Sequence, residues 1–133
     1  HKIIPRLNLP TEQMPVAYGA ADIFVNTSEW EGFNLPLIEA QFQGTPVVAY
    51  NLCAHPEVVK HGKTGFLVQS DQEFYQSVVQ LAADSTLRQD FSREALLFAG
   101  KFTWKENSRT LNKLISDNYR ICDKSRKSLP KVS

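Results

Sequence analysis

The 133-residue sequence has little cysteine and no long apolar run. Its two cysteines, Cys53 and Cys122, lie far apart and form no C-x-x-C pair. This usage excludes a zinc knuckle and is typical of a reducing, intracellular compartment. The longest apolar stretches, residues 23–25 and 46–50, are far shorter than the roughly 20 residues that a membrane-spanning helix needs. We therefore expect a soluble, cytoplasmic protein.

The sequence also lacks an excess of either charge. Fifteen Lys and Arg residues balance 14 Asp and Glu residues, for a net charge of +1 at pH 7. A protein whose main partner is nucleic acid normally carries a clear basic excess, so we expect no nucleic-acid partner. Residues 120–133 hold five basic residues and one acidic residue. We predict a separate, flexible and solvated tail there, and a weak peripheral contact with a membrane surface is the alternative.

An initiator residue and a signal peptide are missing as well. The chain begins at His1, and its one methionine is Met14. No charged start followed by an apolar segment marks a secretory signal. We interpret the sequence as a piece of a longer protein, long enough to bury one hydrophobic core without disulfides or a structural metal.

Short β-branched runs alternate with helical runs, which is the pattern of βαβ units and a parallel sheet. The sequence therefore predicts an α/β fold. The predicted strands are residues 2–4, 22–27, 46–50 and 66–69. The predicted helices are residues 11–21 and 36–43, a short segment at 57–60, and three runs at 74–82, 87–98 and 111–119.

The most informative stretch is residues 28–46, where a predicted strand is followed by a glycine-containing loop and a helix that begins at Pro36. Proline is favoured in a first helical turn, and Gly44 suits the end of the helix. The first N–H groups of a helix lack partners within it, and the helix dipole adds about half a positive charge at that end. The junction therefore predicts an anion site that suits phosphate.

Two glutamates flank this junction. Glu39 is predicted in the first turn, where a carboxylate either stabilises the helix dipole or accepts from both hydroxyls of a ribose. Glu31 begins the loop just past the carboxyl end of a strand, where ligands of open α/β sheets bind, and is well placed for a sugar. Gly32 permits a close approach of the backbone, and Phe33 and Asn34 offer further main-chain donors.

The run E-G-F-N-L-P-L-I-E-A-x-x-x-G-T-P-V-V, residues 31–48, resembles the Glu-x7-Glu motif of the retaining GT-B glycosyltransferases. The resemblance is to glycosyltransferase family 4, also called glycosyl transferases group 1. It extends over A-Y-G-A-A-D-I-F-V-N-T-S before the motif, then H-P-E-V-V-K-H-G-K-T-G-F-L-V and F-T-W after it. It covers about residues 14–119 and implies a Rossmann-like parallel sheet flanked by helices, the C-terminal half of a GT-B fold. Residues 1–119 are then a partial donor-binding domain.

The resemblance also implies a site and a reaction. Glu39 would hold the ribose of a nucleoside-diphosphate sugar, and Glu31, the candidate catalytic residue, would contact the donor sugar near its reacting carbon. Residues 32–35 (Gly32, Phe33, Asn34 and Leu35) would present amides to the sugar and diphosphate. The sugar would move to an acceptor hydroxyl with retention of configuration and without a bound metal, since amides and basic groups offset the charge of the diphosphate.

The sequence departs from the family pattern at several places. Asn34 stands where the family often has a second glycine, and Cys53, Ala54 and His55 occupy a loop that is commonly glycine-rich and lies near the donor. The amino-terminal acceptor-binding domain and the first half of the donor-binding domain do not precede His1. We therefore expect this chain alone to be incomplete and inactive. The alternative is a non-catalytic remnant or interaction module with the same fold.

Other motifs favour structural interpretations. Residues 62–64, Gly-Lys-Thr, end like a P-loop but lack its first glycine and precede a strand, so they predict a tight turn. His55 and His61 do not have the i, i+4 spacing of a helical metal pair, and we expect no metal site. The sequon at residues 26–28 is interpreted as accidental. Trp30 is either a sugar-stacking or a partly buried loop residue, and Trp104 is predicted to be a packing anchor.

Overall fold

The computed structural model describes the backbone of residues 8–127 and the side chains up to residue 117. The predicted strand at residues 2–4 lies outside this range. The strands within it are β1 (Phe24–Asn26), β2 (Val47–Tyr50) and β3 (Gly65–Val68). A 3-10 turn at Thr11–Gln13 leads into α1 (Met14–Gly19), and the other helices are α2 (Leu35–Phe42), α3 (His55–Val58), α4 (Asp71–Ala83), α5 (Ser85–Ala99) and α6 (Trp104–Lys127).

The strands form a parallel sheet in the order β1-β2-β3. Helices alternate with them along the chain and pack on the sheet, so the predicted α/β fold with a parallel sheet flanked by helices is confirmed. Three consecutive residues of the central strand, Val47, Val48 and Ala49, have 0% exposure. Since successive side chains of a strand point to opposite faces, β2 is covered on both faces.

One face of the sheet carries the main hydrophobic core. Val48 pairs with Phe66 and Tyr50 pairs with Val68, which places these side chains on the same face. Leu81 of α4 and Phe91 of α5 pack against them and are almost fully buried. Helix α2 contacts β1 and β2, and it also packs against α5.

Strand β1 differs from its prediction. It was expected to be a buried strand over residues 22–27, but it is three residues long and Val25 is 44% exposed. The physical reason is its position, because within the described sheet β1 pairs only with β2 and lies at the edge rather than in the centre. An apolar run alone does not distinguish an edge strand from a central one.

Residues 101–133 form a separate compact unit, whose described part contains α6. Trp104 begins this helix and is 89% exposed, so its prediction as a packing anchor is wrong. The described side chains of the helix, residues 104–117, are all exposed, so this unit has no core among them for an anchor to enter. The boundary predicted at residue 119 falls inside α6, and a separate flexible tail at residues 120–133 stays a prediction.

Within residues 8–127, no helix has both the length and the apolar character that crossing a bilayer requires.

Gly65 is the position where the sheet leaves no room for a side chain. A Cβ there would lie 2.1 Å from the backbone oxygen of Val47 on the neighbouring strand. We expect Gly65→Ala to lower the free energy of unfolding by about 2 kcal/mol or more, because the backbone of β2 or β3 must shift. Gly32→Ala is the matched control, since its Cβ would meet no described atom within 4 Å. Urea denaturation measures the stability of both variants. Equal midpoints for the two would contradict the close approach of Gly65 to the backbone of Val47.

Candidate functional site

The candidate site lies where two parallel strands end. Strand β1 ends at Asn26 and β2 at Tyr50, so the loops that follow them, residues 27–34 and 51–54, leave the same edge of the sheet. This edge is where ligands of open α/β sheets bind. Glu31 is half-buried in the first loop, and the neighbouring Gly32 and Phe33 are exposed.

Helix α2 begins one residue earlier than predicted, at Leu35, so Pro36 is its second residue. Glu39 is the fifth residue, and its predicted place in the first turn is wrong. Dipole stabilisation falls off within the first turn, so it does not account for a carboxylate at this position. The start of α2 has few free donors, because Pro36 has no N–H and the Leu37 amide donates to the Asn34 carbonyl at 3.1 Å.

Asn34 occupies the N-cap of α2 in the left-handed conformation, with φ 57° and ψ 64°. Asparagine tolerates this conformation better than most residues other than glycine, which accounts for its presence where the family often has glycine. Its side chain is 3% exposed and makes no capping hydrogen bond to the described part of α2. The amide role predicted for Asn34 therefore concerns its backbone, because its side chain is turned into the protein.

The buried side chain of Asn34 belongs to a continuous hydrogen-bond network, called here the Asn34–His55 network. Its members are the side chains of Asn26, Asn34 and His55, the carbonyl of Tyr50 and the amide of Ser28. His55 Nδ1 lies 2.7 Å from the Tyr50 oxygen, and Asn34 Nδ2 lies 2.8 Å from His55 Nε2. Asn26 Nδ2 donates to Asn34 Oδ1 at 3.4 Å, and the Ser28 amide donates to Asn26 Oδ1 at 2.8 Å.

Because both ring nitrogens of His55 are engaged and the residue is fully buried, it is not available as a metal ligand. The sequence pattern alone did not predict this network. The signal was present as the two departures from the family pattern at positions 34 and 55, which turn out to contact each other.

Glu39 is exposed on α2, and its carboxylate lies beside the end of α1. The Tyr18 hydroxyl donates to Glu39 Oε2 at 3.1 Å. Burial of Tyr18, and then its hydrogen bond to Glu39, raise the pKa of the phenol to about 12. Tyr18 was not identified from the sequence, although it lies in the A-Y-G-A-A-D run.

Tyr18 and Glu39 line a cavity of about 330 Å³, called here the Glu39 cavity. Its other lining residues are Thr11, Met14, Pro15, Phe42 and Gln43. Of the predicted site residues, only Glu39 lines it. Glu31, Gly32, Phe33 and Leu35 lie instead on the loop and at the start of α2. The site thus has two parts, a cavity beside α1 and a loop at the strand edge, joined by α2.

The charge around these two parts is acidic. Residues 7–59 contain no Lys or Arg, whereas Glu29, Glu31 and Glu39 all lie in this segment. Trp30, between two of these glutamates, is 86% exposed. Its interpretation as a partly buried loop aromatic is wrong, and a stacking role stays a prediction.

The pKa of Tyr18 makes alkaline stability a test of the Tyr18–Glu39 contact. Between the ordinary pKa of 10.0 and the folded value of about 12, the unfolded chain has lost the phenol proton while the folded chain has kept it. The stability contributed by Tyr18 is thus complete below pH 10 and is lost as the pH rises.

We expect the stability advantage of the wild type over Tyr18→Phe to shrink by about 1 kcal/mol from about pH 9 to about pH 11. Phenylalanine preserves the edge-to-face packing on Phe24. Guanidinium denaturation of both proteins at each pH is the measurement. Parallel stability curves would show that Tyr18 titrates normally in the folded protein.

Comparisons with known proteins agree with this architecture. Residues 1–98 match the family described as "Glycosyl transferases group 1". The D-inositol 3-phosphate glycosyltransferase of Corynebacterium jeikeium is 36% identical over 110 residues, which cover 81% of this chain and 26% of the relative. The chain spans about a quarter of the length of the curated relatives it matches.

Two solved structures share the fold. Anabaena HepE in complex with UDP-glucose matches with a TM-score of 0.69 and 27% identity, over 77% of this chain and 30% of HepE. The C-terminal domain of a group 1 glycosyl transferase from Francisella tularensis matches with a TM-score of 0.65 and 29% identity, over 74% of this chain and 51% of that one. The chain therefore belongs to the glycosyl transferases group 1 family and has the Rossmann-like α/β fold of the C-terminal domain of GT-B glycosyltransferases.

Proposed function

We propose that this chain is the donor-binding part of a retaining glycosyltransferase, which moves a hexosyl group from a nucleoside-diphosphate sugar to an acceptor hydroxyl. The observation that carries the proposal is the Glu39 carboxylate, which is exposed at a cavity and held there by Tyr18. Family membership supports transferase chemistry, and the relative crystallised with UDP-glucose supports a nucleotide-sugar donor.

The Glu39 cavity suits the nucleoside half of such a donor. Its volume of about 330 Å³ lies at the lower end of the roughly 300 to 1,000 Å³ of small-molecule sites. Met14 and Phe42 supply apolar walls, and Gln43 supplies an amide. With Oε2 held by Tyr18, the remaining oxygen lone pairs of Glu39 are oriented to accept from the two hydroxyls of a ribose.

The loop suits the other half of the donor. Glu31 would contact the hexose near its anomeric carbon and stabilise the positive charge that develops there, as an electrostatic partner. The amides of Gly32, Phe33, Asn34 and Leu35 would donate to the sugar hydroxyls and the diphosphate. Gly32 has open space around it, which leaves room for a ligand against the backbone.

A diphosphate also needs positive charge, and the segment around the site supplies none as side chains, since residues 7–59 contain no Lys or Arg. Backbone amides and the dipole of α2 offset part of the charge. We propose that basic groups from the remainder of the full-length enzyme supply the rest, without a bound metal. The acceptor would bind to an amino-terminal domain, because this chain spans about a quarter of its relatives. A cytoplasmic location stays a prediction.

Glu39→Ala tests the ribose contact. We expect affinity for the sugar nucleotide that binds best among UDP-, GDP- and ADP-linked donors to fall by about 1 to 3 kcal/mol, because the ribose hydroxyls lose their acceptor. Titration calorimetry on the folded chain measures this loss. Glu94→Ala is the matched control, since it removes an equal charge from an exposed site on α5. A well-folded wild-type chain that binds none of these donors would favour the non-catalytic interaction module.

Glu31→Gln tests the assignment of the hexose to the loop. We expect it to weaken binding of the nucleotide sugar several-fold, because a charged acceptor near the hexose is replaced by a neutral one. Binding of the corresponding nucleoside diphosphate, which lacks the hexose, should stay within about twofold of the wild type. Competition binding against one labelled nucleotide gives both values. If the binding of both ligands is weakened equally, Glu31 contacts the diphosphate instead.

A further inference from the structure

The two loops that follow β1 and β2 are tied together by buried polar side chains rather than by backbone pairing. Asn34 ends the first loop, and His55 follows the second as the first residue of α3. Their side chains meet at 2.8 Å with exposures of 3% and 0%. Cys53 Sγ also lies 4.0 Å from the Glu29 carbonyl, so the loops approach each other at a second point.

The directions of the hydrogen bonds in the Asn34–His55 network are determined by a backbone group at each end, the Tyr50 carbonyl and the Ser28 amide. The Tyr50 carbonyl can only accept, so His55 Nδ1 carries the proton. His55 Nε2 faces Asn34 Nδ2, which can only donate, so this ring nitrogen accepts. This leaves Asn34 Oδ1 to accept from Asn26, whose own oxygen accepts from the Ser28 amide. Every member has a partner of the matching kind.

The network holds both ends of the loop that carries the proposed donor contacts. Ser28 is attached near its start and Asn34 at its end, whereas Glu31, Gly32 and Phe33 lie between them. The left-handed conformation of Asn34 turns the chain into α2, and its side chain makes no capping bond that would hold this turn. The contacts of this side chain with His55, at 2.8 Å, and with Asn26, at 3.4 Å, therefore couple the turn to the sheet edge.

We propose that His55 is a positioning residue, which acts through Asn34 to hold residues 28–34 in the shape that binds the hexose and diphosphate of the donor. This inference rests on the proposed function. It assigns the network to the loop half of the site and not to the Glu39 cavity, whose lining includes none of its members. Loss of the network should therefore weaken the binding of the hexose and diphosphate and leave the binding of the nucleoside unchanged.

The test compares Asn34→Gly, His55→Ala and the double variant with the wild type. Glycine accepts the φ of 57° without strain, so Asn34→Gly removes the side-chain contact and preserves the turn. Thr64→Val is the matched control, because Thr64 is as buried as Asn34 and its hydroxyl accepts a hydrogen bond from the Lys60 amide, away from the loop. The probes are uridine and UDP-glucose, with guanosine and GDP-mannose as the second pair.

We expect Asn34→Gly to weaken the binding of the sugar nucleotide roughly tenfold, because the loop of the variant must be ordered when the ligand binds. Nucleoside affinity should change less than about twofold. The double variant should bind the sugar nucleotide no more weakly than the weaker-binding single variant, since both single variants remove the same Asn34–His55 contact. Thr64→Val should preserve the ratio between the two affinities. If Asn34→Gly weakens the binding of nucleoside and sugar nucleotide equally, or weakens the binding of neither, the positioning role of His55 is overturned.

Hydrogen exchange without ligand separates this inference from the proposed function. Amides of residues 29–35 should exchange at least about tenfold faster in Asn34→Gly than in the wild type and in Thr64→Val. Unchanged exchange overturns the inference even if donors bind. This measurement requires only that Asn34→Gly folds, and not that His55→Ala does. A wild-type chain that binds no probe overturns the proposed function and the donor role of the network. Faster exchange would still show that the side-chain contacts of Asn34 order the loop.

Discussion

The complete burial of β2 is the constraint on which the rest of the structure depends. Its residues Val47 to Ala49 have no exposed surface, and this requires a parallel neighbour on each side and helices over both faces. Parallel strands end at a common edge, so the loops after β1 and β2 emerge side by side. The positions of Glu31 and His55 follow from this arrangement, although the two residues are far apart in sequence.

Helix α2 connects the core with the site. Leu37, Ile38, Ala40 and Gln41 are buried, and the Gln41 side chain donates to the carbonyls of Leu37 and Val58. Helical spacing then leaves Glu39 on the outer surface, where Tyr18 holds one of its oxygens. A helix anchored by several buried contacts presents its carboxylate more rigidly than a loop does, which suits a group that must match two ribose hydroxyls.

The loop half of the site depends on polar contacts instead. Residues 28–34 contribute Asn34 to the interior, and a buried amide or imidazole without a partner would cost several kcal/mol. The Asn34–His55 network satisfies these groups and connects the loop with the end of β2. The two halves of the site are thus held by different forces, apolar packing under α2 and hydrogen bonds under the loop, and they can respond independently to substitution.

Local patterns in the amino-acid sequence were enough to predict the class of fold, the family and the approximate elements. These rest on local patterns, such as the β-branched run at residues 46–50 and the ordered matches around the Glu-x7-Glu motif, which neighbouring residues encode. The sequence also indicated the β1–α2 junction and named Glu31 and Glu39, whose roles stay proposals. Glu39 was predicted in the first turn of α2 but lies just beyond it, because the helix starts one residue earlier, at Leu35, which depends on the backbone of Asn34.

Tertiary structure alone decided which residues meet. The exposure of Val25 and Trp104, the contact of Tyr18 with Glu39 and the pairing of Asn34 with His55 join residues that are distant in sequence or depend on what covers an element. No local pattern records such a contact, because a polar residue pairs with whichever group the packing of the sheet and helices brings within reach. For that reason the sequence could indicate the loop but not the side chains that hold it.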